Sequence, residues 1–509
     1  MKIFYLLKSL IIRIMKFRFF FISLFFLLVG ELFSQDYFRS AYFLQSYRYR
    51  HVMNPSFQPE RGYVGVPILG SFSINFSSNI ATRNIFSALH GGSLSEWEDF
   101  INSSTLKSML KPQNRLDVNV DLSLFNIGFF AFEGFNTISY SLKTDLRGNF
   151  PKELVDVLSQ SPTPGENINL ENLKMRSSSF MEVALGHSHV INEKVSVGAK
   201  VKLLLGLLNV DAKIDEMNFY GEGAHWKVYG QGTLYISGFL DIPTSNRYLN
   251  EMDFGDVSID YDHLISGVGV AADFGVNYDI NDNWQVNMAL LNLGFMKWNK
   301  TYNSHLDVEA WTFEGFDNVK DVSCDDEMED IVSSLWNSAK ECFKFKGVNQ
   351  TQTKEFLNLT LNLGVQYTLP VYDKLTFGFL SSSKFNAGYS WFEGRLSANV
   401  APAHWFDGSL SYGLSTFGSS LGMVADFHPA DFSVMIGMNL PLHTHLYPFD
   451  SSQKLFGDLY FGFNFPIGER KEKEKAVRVE SFYEADSNAE KMQDMKEMEV
   501  EPQNIIVEE

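Results

Sequence analysis

The chain has 509 residues, 45% of them apolar and 15% aromatic, which is too much apolar surface for a disordered protein. Its formal net charge of −19 excludes a broad nucleic-acid footprint. Only two cysteines occur, so a disulfide scaffold is excluded as well.

The N-terminus reads as an export signal over residues 1–34. Lys16 and Arg18 precede an apolar run from Phe19 to Val29, then Gly30 and the small Ser34. That order fits a cleaved secretory peptide. The run is shorter than the ~20 residues a helical span needs, and no later stretch is long and apolar enough to cross as a helix. Residues 35–69 follow as a mixed polar and aromatic segment with Tyr37, Tyr42, Tyr47, Arg48, Tyr49 and Arg50. This segment either fills a barrel lumen as a plug or serves as a periplasmic leader. As a plug, its Arg48, Arg50 and Arg61 would meet carboxylates at Asp117, Asp121 and Asp273.

From residue 70 the chain alternates. In "LDVNVDLSL" (116–124), Leu116, Val118, Val120, Leu122 and Leu124 oppose Asp117, Asn119, Asp121 and Ser123. In "VSVGAKVKL" (195–203), Val195, Val197, Ala199, Val201 and Leu203 oppose Ser196, Gly198, Lys200 and Lys202. In 268–279, Val268, Val270, Phe274 and Val276 oppose Gly269, Asp273, Gly275 and Asn277. "LNLTLNLGVQYTL" (357–369) sets leucines against Asn358, Thr360, Asn362 and Gln366, and 457–465 repeats the pattern with Phe461, Phe463 and Phe465. Successive side chains of a strand point to opposite faces, so each run has one oily and one polar face. Trp284 and Trp298 bracket one run, with Val286, Met288 and Leu290 between them on the same face.

The connections alternate too. Tight turns at 191–194, 280–283, 372–374 and 428–431 exchange with long segments at 80–113, 150–175, 212–263, 300–354 and 441–455. Short turns at one end and long loops at the other mark an all-β, antiparallel, up-and-down transmembrane β-barrel. About 14 strands are expected (range 12–16), with 226–240 as a further hairpin candidate. The oily faces then meet outer-membrane lipid. The polar faces line the lumen, with Asp117, Asp121, Lys200, Lys202 and Asp273 as candidate lining residues. Both termini fall on the periplasmic side.

The segment "RHVMNPSFQPERGYVGVPILGSFSINFSSN" (50–79), together with "VALGHSHVINEKVSVGAKVKLLLGLLNVDAKI" (183–214), resembles a Bacteroidota family of uncharacterised outer-membrane barrels with a domain of unknown function. More distantly, the chain is similar to the long-chain fatty acid transporter (FadL-like) superfamily. Those barrels have 14 strands and an N-terminal hatch bearing an Asn-Pro-Ala element. Asn54, Pro55 and Ser56 match that element, and the Gly/Ala-rich run that precedes it in the transporters is missing. The resemblance implies Asn54, Pro55, Ser56, Pro59 and Arg61 as plug residues, and transport as the activity.

Other motifs carry less. "GSSLG" (418–422) matches a nucleophile elbow in letters, but an elbow needs a following helix and a strand pattern follows here. His443 and His445 lack further metal ligands, and His187 and His189 sit beside a turn. Between Cys324 and Cys342 an apolar stripe that includes Ile331, Leu335 and Trp336 is expected as a helical cap on the barrel mouth. A helix of that length would hold the two thiols ~27 Å apart. Either it breaks or the thiols stay unpaired. A second helix is expected at 151–160. Residues 468–509 are charge-rich and expected to be a disordered periplasmic tail, open to a periplasmic protein partner. No enzyme, cofactor or metal arrangement emerges. Two functions stand: a passive channel for small apolar or amphipathic molecules with a lumen plug, or a non-transporting structural and interaction barrel in a secretion or surface-attachment assembly.

Overall fold

The computed structural model describes residues 38–67, 69–78, 110–159, 162–223, 225–243, 258–306, 311–313, 343, 345–385, 390–442 and 458–468. The predicted signal peptide, the cap stripe with Ile331, Leu335 and Trp336, both cysteines, His443, His445 and the tail lie outside these residues.

The chain begins its wall with two half-strands, β1 (Gly62–Gly65) and β2 (Phe72–Ser78), which share one stave. It continues with β3 (Gln113–Ala131), β4 (Gly134–Pro151), β5 (Asn167–Asn192), β6 (Val195–Glu222) and β7 (His225–Gly238). The short β8 (Leu240–Asp241) and β9 (Ser258–Ile259) pair with each other. Then come β10 (Gly267–Asp279), β11 (Trp284–Leu306), β12 (Trp311–Phe313), β13 (Phe345–Phe356), β14 (Leu359–Thr368) and β15 (Leu375–Phe385). The wall ends with β16 (Trp391–Ala403), β17 (Phe406–Ser415), β18 (Gly418–Phe427), β19 (Ser433–Leu442) and β20 (Asp458–Ile467). Neighbours pair antiparallel around the ring, and β20 returns to pair with both β1 and β2. The result is a closed barrel of 14 staves.

The two faces divide as the alternation requires. Val201, Leu203, Val268, Val270, Phe274, Leu363, Leu396 and Leu410 are exposed on the outside. Asp117, Asn119, Lys200, Lys202, Asp273, Asn287 and Asn362 are buried inside. Burial of polar groups beneath an apolar exterior is the reverse of a water-soluble sheet, and it suits hydrocarbon outside. Aromatic side chains gather near the short-turn end, where Trp284 packs against Tyr367 and Trp405 meets Phe427.

Trp298 departs from its predicted place on the outer face. It is fully buried and faces inward. A β-bulge between β10 and β11 is the reason: Ala272 pairs with Leu293, but Phe274 pairs with Leu290. The extra residues include Asn292, which adopts a left-handed φ of 61°. One inserted residue exchanges the faces of everything beyond it. Leu293 is therefore exposed, while Met296 and Trp298 join Leu204 and Ala271 in an apolar cluster inside the wall.

The expected long loops at 150–175, 212–263 and 300–354 are partly strand. β5, β6, β7, β11 and β13 run on past the lipid-facing zone. Out there water replaces hydrocarbon, so the sharp alternation of hydropathy that betrayed the lower strands is lost. The pair Lys213–Asp215 lies in water at 2.8 Å, while Leu170, Met217, Phe219, Trp226, Val228 and Phe313 pack into a separate apolar core. The helix expected at 151–160 is α1 (Glu153–Ser159), and its Val157 joins this core. The "GSSLG" stretch begins β18, with no helix after Ser420.

Candidate functional site in the lumen

Residues 38–61 lie against the inward faces of the wall near its short-turn end. Two short 3-10 turns, Arg39–Ala41 and Arg48–Val52, fold the segment on itself. Tyr42, Phe43, Leu44, Tyr49, Met53 and Phe57 bury together with wall residues Phe135, Leu380 and Tyr460. A soluble protein would place such a core between its own layers. This barrel encloses it within a ring.

The Asn54-Pro55-Ser56 element docks on β5, β6, β10 and β11. The Asn54 carboxamide oxygen accepts from the backbone N–H of Ser56 at 3.0 Å and from its hydroxyl at 2.7 Å, which closes an Asx turn. The Asn54 amide donates towards the carbonyls of Val276 and Met288 at 3.5 and 3.4 Å. The Ser56 carbonyl accepts from Ser188 at 3.0 Å. Gln58 adds a bond to the Ser188 carbonyl at 3.0 Å. Pro55 and Pro59 are buried, and Arg61 donates to the Ala430 carbonyl at 3.1 Å near the short-turn end.

The other end of the segment is held by charge. Arg39 donates to Ser382 at 3.1 Å, meets Glu393 at 3.4 Å and lies over the Trp391 ring at 4.1 Å. Arg395 pairs with the same Glu393 at 2.7 Å and donates to Ser40 and Ser411, both at 3.0 Å. Ser40 also reaches Asn439, which in turn donates to Asp458. Tyr42 donates to Asn287 at 2.7 Å.

The wall makes room for this segment by omitting side chains. A Cβ on Gly198 would collide with the Pro55 carbonyl, and one on Gly275 with Asn54. The same holds for Gly378 and Gly437 against the rings of Phe43 and Phe38, and for Gly422 against Ser40. Glycine is the residue that lets a second chain approach a strand this closely.

The expected pairing of Arg48, Arg50 and Arg61 with Asp117, Asp121 and Asp273 does not form. Arg50 turns back to the Tyr42 carbonyl at 3.1 Å and lies over Phe57. The three carboxylates are neutralised by neighbouring strands instead. Asp117 pairs with Arg147 at 3.5 Å, Asp121 with Lys143 at 3.4 Å and Asp273 with Lys202 at 2.7 Å. Lys143 also meets Glu182 at 3.2 Å. Cross-strand partners sit one strand spacing away, so they reach these acids before any residue of an inserted segment can. Lys200 approaches His51, whose ring also meets Tyr63 at 2.5 Å.

Past the segment, towards the long-loop end, these charges line a small cavity that is open to solvent. Asn119, Asp121, Lys143, Glu182, Asn292 and Lys384 stand on its wall, with Phe180 and Leu357 as apolar neighbours. Arg39, Glu393 and Arg395 were missed from sequence, although "WFEGRLSANV" carries Glu393 and Arg395 on the same polar phase that marked Lys200. Among the described residues, no group of three His, Cys, Asp or Glu side chains could hold a metal ion.

A family model described as "Family of unknown function (DUF5723)" matches residues 55–439. The chain belongs to this family. The matched span runs from Pro55 in the docked element to Asn439 in β19, so it takes in most of the DUF5723 barrel wall and the last residues of its inner segment. No curated protein matches. Solved structures with a similar course include the Ralstonia pickettii toluene transporter TbuX, at 8% identity and a TM-score of 0.38, covering 82% of this chain and 94% of that one. The P. putida toluene transporter TodX follows at 10% identity and a TM-score of 0.37, covering 81% and 91%. The CymD monoaromatic hydrocarbon channel gives 9% identity and 0.38, covering 84% and 94%.

Proposed function

We propose that this DUF5723 chain is an outer-membrane channel for small amphipathic molecules, closed in the described state by residues 38–58 acting as a lumen plug. The short turns then face the periplasm and the extended strands face outward. The observation that carries the reading is the matched seat: glycines stand on the inner wall where Phe38, Ser40, Phe43, Asn54 and Pro55 press against it. A loose leader would need no such clearances. The polar lining favours amphipathic over purely apolar solutes, because an apolar solute cannot repay the desolvation of buried ion pairs.

The test is solute flux into liposomes, with and without residues 38–58. Deletion is expected to raise flux about tenfold or more, towards what an unobstructed ring of this size allows. Near-zero flux from both forms, each with the heat-modifiable gel mobility of a folded barrel, would overturn the channel reading. A structural or interaction barrel would be left.

A further inference from the structure

The cavity beyond the plug contains an acceptor with nothing to accept. Asp117, Asn119 and Asp121 are successive inward-facing positions on β3. The Asn119 amide donates to Asp117 at 2.6 Å. Its carboxamide oxygen is buried on the cavity wall and receives no hydrogen bond within the protein. Asn119 as a whole is only 7% exposed. Leaving a buried acceptor unmade is costly, and the cheapest remedy is a donor from a ligand. With Asp121 and Asp145 on the same wall, that donor is best supplied by an ammonium group.

The rest of the lining answers other parts of a molecule. Lys143 and Lys384 also stand on the wall and offer ammonium groups to an anionic end. Phe180 and Leu357 line the cavity and back onto Leu204, Met296 and Trp298, which gives an apolar patch. The bulge that turns Trp298 inward creates this patch, and it places Asn292 on the wall with a left-handed backbone. A non-glycine residue held there in mid-strand is strained, as is common where a ligand is gripped. Each of these carboxylates around the cavity already has a cation beside it: Lys143 meets Asp121 and Glu182, Arg147 meets Asp117 and Asp145, and Arg176 meets Glu355. A bare cation or anion would compete with one of these contacts, whereas a molecule bearing both signs adds a pair of its own.

We propose that this vestibule binds small zwitterions with an ammonium group, a carboxylate and an apolar side group, the class of apolar amino acids and short apolar peptides. Asn119 and Asp121 take the ammonium, Lys384 takes the carboxylate, and Phe180 with Leu357 covers the side group. The proposal deepens the channel reading and rests on it for the ligand's way in.

The experiment titrates the full chain in detergent with the dipeptide of two leucines. Comparison probes are the same dipeptide with its amine acetylated, the same with its carboxylate amidated, hexylamine, hexanoate and toluene. Calorimetry gives the affinity. The fluorescence of Trp298, taken as the difference from Trp298→Phe, locates the binding, because its indole N–H donates to Glu355 on the cavity wall at 3.3 Å. Saturable binding of the free dipeptide is expected, weakened about tenfold when either end is blocked. Asn119→Leu should weaken it similarly. Lys384→Gln should weaken the free dipeptide but leave the amidated one unchanged, which separates lost recognition from a lost fold. Equal binding of toluene, hexanoate or the blocked dipeptides, or an unchanged affinity in both variants, would overturn the proposal. Flux of the same dipeptide through liposomes keeps the two readings apart. Binding without flux after plug deletion removes the channel and leaves the site. Flux without saturable binding removes the site and leaves the channel.

Discussion

The two halves of the lumen solve one problem by opposite means. Near the short-turn end, the polar inner wall is stripped to glycine at Gly198, Gly275, Gly378 and Gly437 and filled by an aromatic core carried on residues 38–57. Towards the long loops, the same strands carry full-length charged side chains that pair across the ladder, as Lys143 does with Asp121 and Glu182. The first half is filled mainly by packed rings; the second is lined by charges that pair across strands and border a cavity. A barrel interior therefore has no single character, and its chemistry can change within one strand. β6 goes from Gly198 beneath Pro55 to Lys202 beside Asp273 in four residues.

Substitutions can break or sharpen this contrast. The largest effect is expected from Glu393→Ala, which leaves Arg39 and Arg395 buried side by side without their shared carboxylate. Removing one partner of a buried ionic group costs about 3–5 kcal/mol. The urea midpoint of the barrel in lipid vesicles should fall accordingly, and conductance should approach that of the plug-deleted chain. Next comes Gly275→Leu, which forces a side chain into the space of Asn54 and Pro55. Overpacking of this kind costs about 1–3 kcal/mol. It should expose residues 38–58 to added protease while the ring stays folded. An undisturbed plug in that variant would mean the glycine seat is incidental.

At the partly exposed Lys143–Asp121 pair the same kind of change should matter less. Lys143→Met removes a cation whose side chain is 15% exposed, beside an Asp121 that is 24% exposed. Partial hydration should hold the loss to about 1 kcal/mol, nearer a surface pair than a buried one. A loss equal to that of Glu393→Ala would show that the vestibule is as dry as the plug seat.

The smallest effect lies beyond the membrane. Tyr302 donates to Asp241 at 2.8 Å and Lys300 donates to it at 3.3 Å. These bonds, Tyr302 first, hold the Asp241 carboxyl below its ordinary value. A depressed carboxyl stabilises the fold above its unfolded value of about 3.9, and that contribution is lost as pH falls through the lower folded value. Its side chain is 59% exposed, so screening limits the effect to a few tenths of a kcal/mol. The protection of the Ile242 amide against exchange, its N–H pointing at the Tyr302 hydroxyl, should fall below pH 4 in the native chain and show no such step in Asp241→Asn.

Much of the ring was legible from residue order alone. Where lipid meets one face and a polar lumen the other, each strand must alternate, so Val201 and Lys202 announce their own directions. The reading failed where that contrast stops. At Asn292 one extra residue changes the phase, and nothing in "NMALLNLGFMKW" declares it. Above the lipid zone both faces of Asp211–Glu222 see mixed surroundings, so strand looked like loop. The partners of the inner segment were hidden for another reason: Arg39 meets Glu393 across 354 positions of sequence. The inner-face glycines were visible throughout, but only the docked segment gives them a cause.

The join between the first and last staves deserves a mechanical reading. On that seam Gly62–Gly65 and Phe72–Ile74 pair with β20 in regular register, and between them two bonds continue the contact, from the Val66 N–H to the Phe463 carbonyl at 3.1 Å and from the Phe463 N–H to the Leu69 carbonyl at 2.9 Å. Its paired positions are as few as those of the β19–β20 junction beside it, and here they are split between two half-strands, so under heat or pulling this seam should be among the first to part. Pro59 to Arg61 join the inner segment directly to that seam. Rupture there would pull on residues 38–58 together with the torn edge, so opening the ring and dislodging what it encloses would begin at one place.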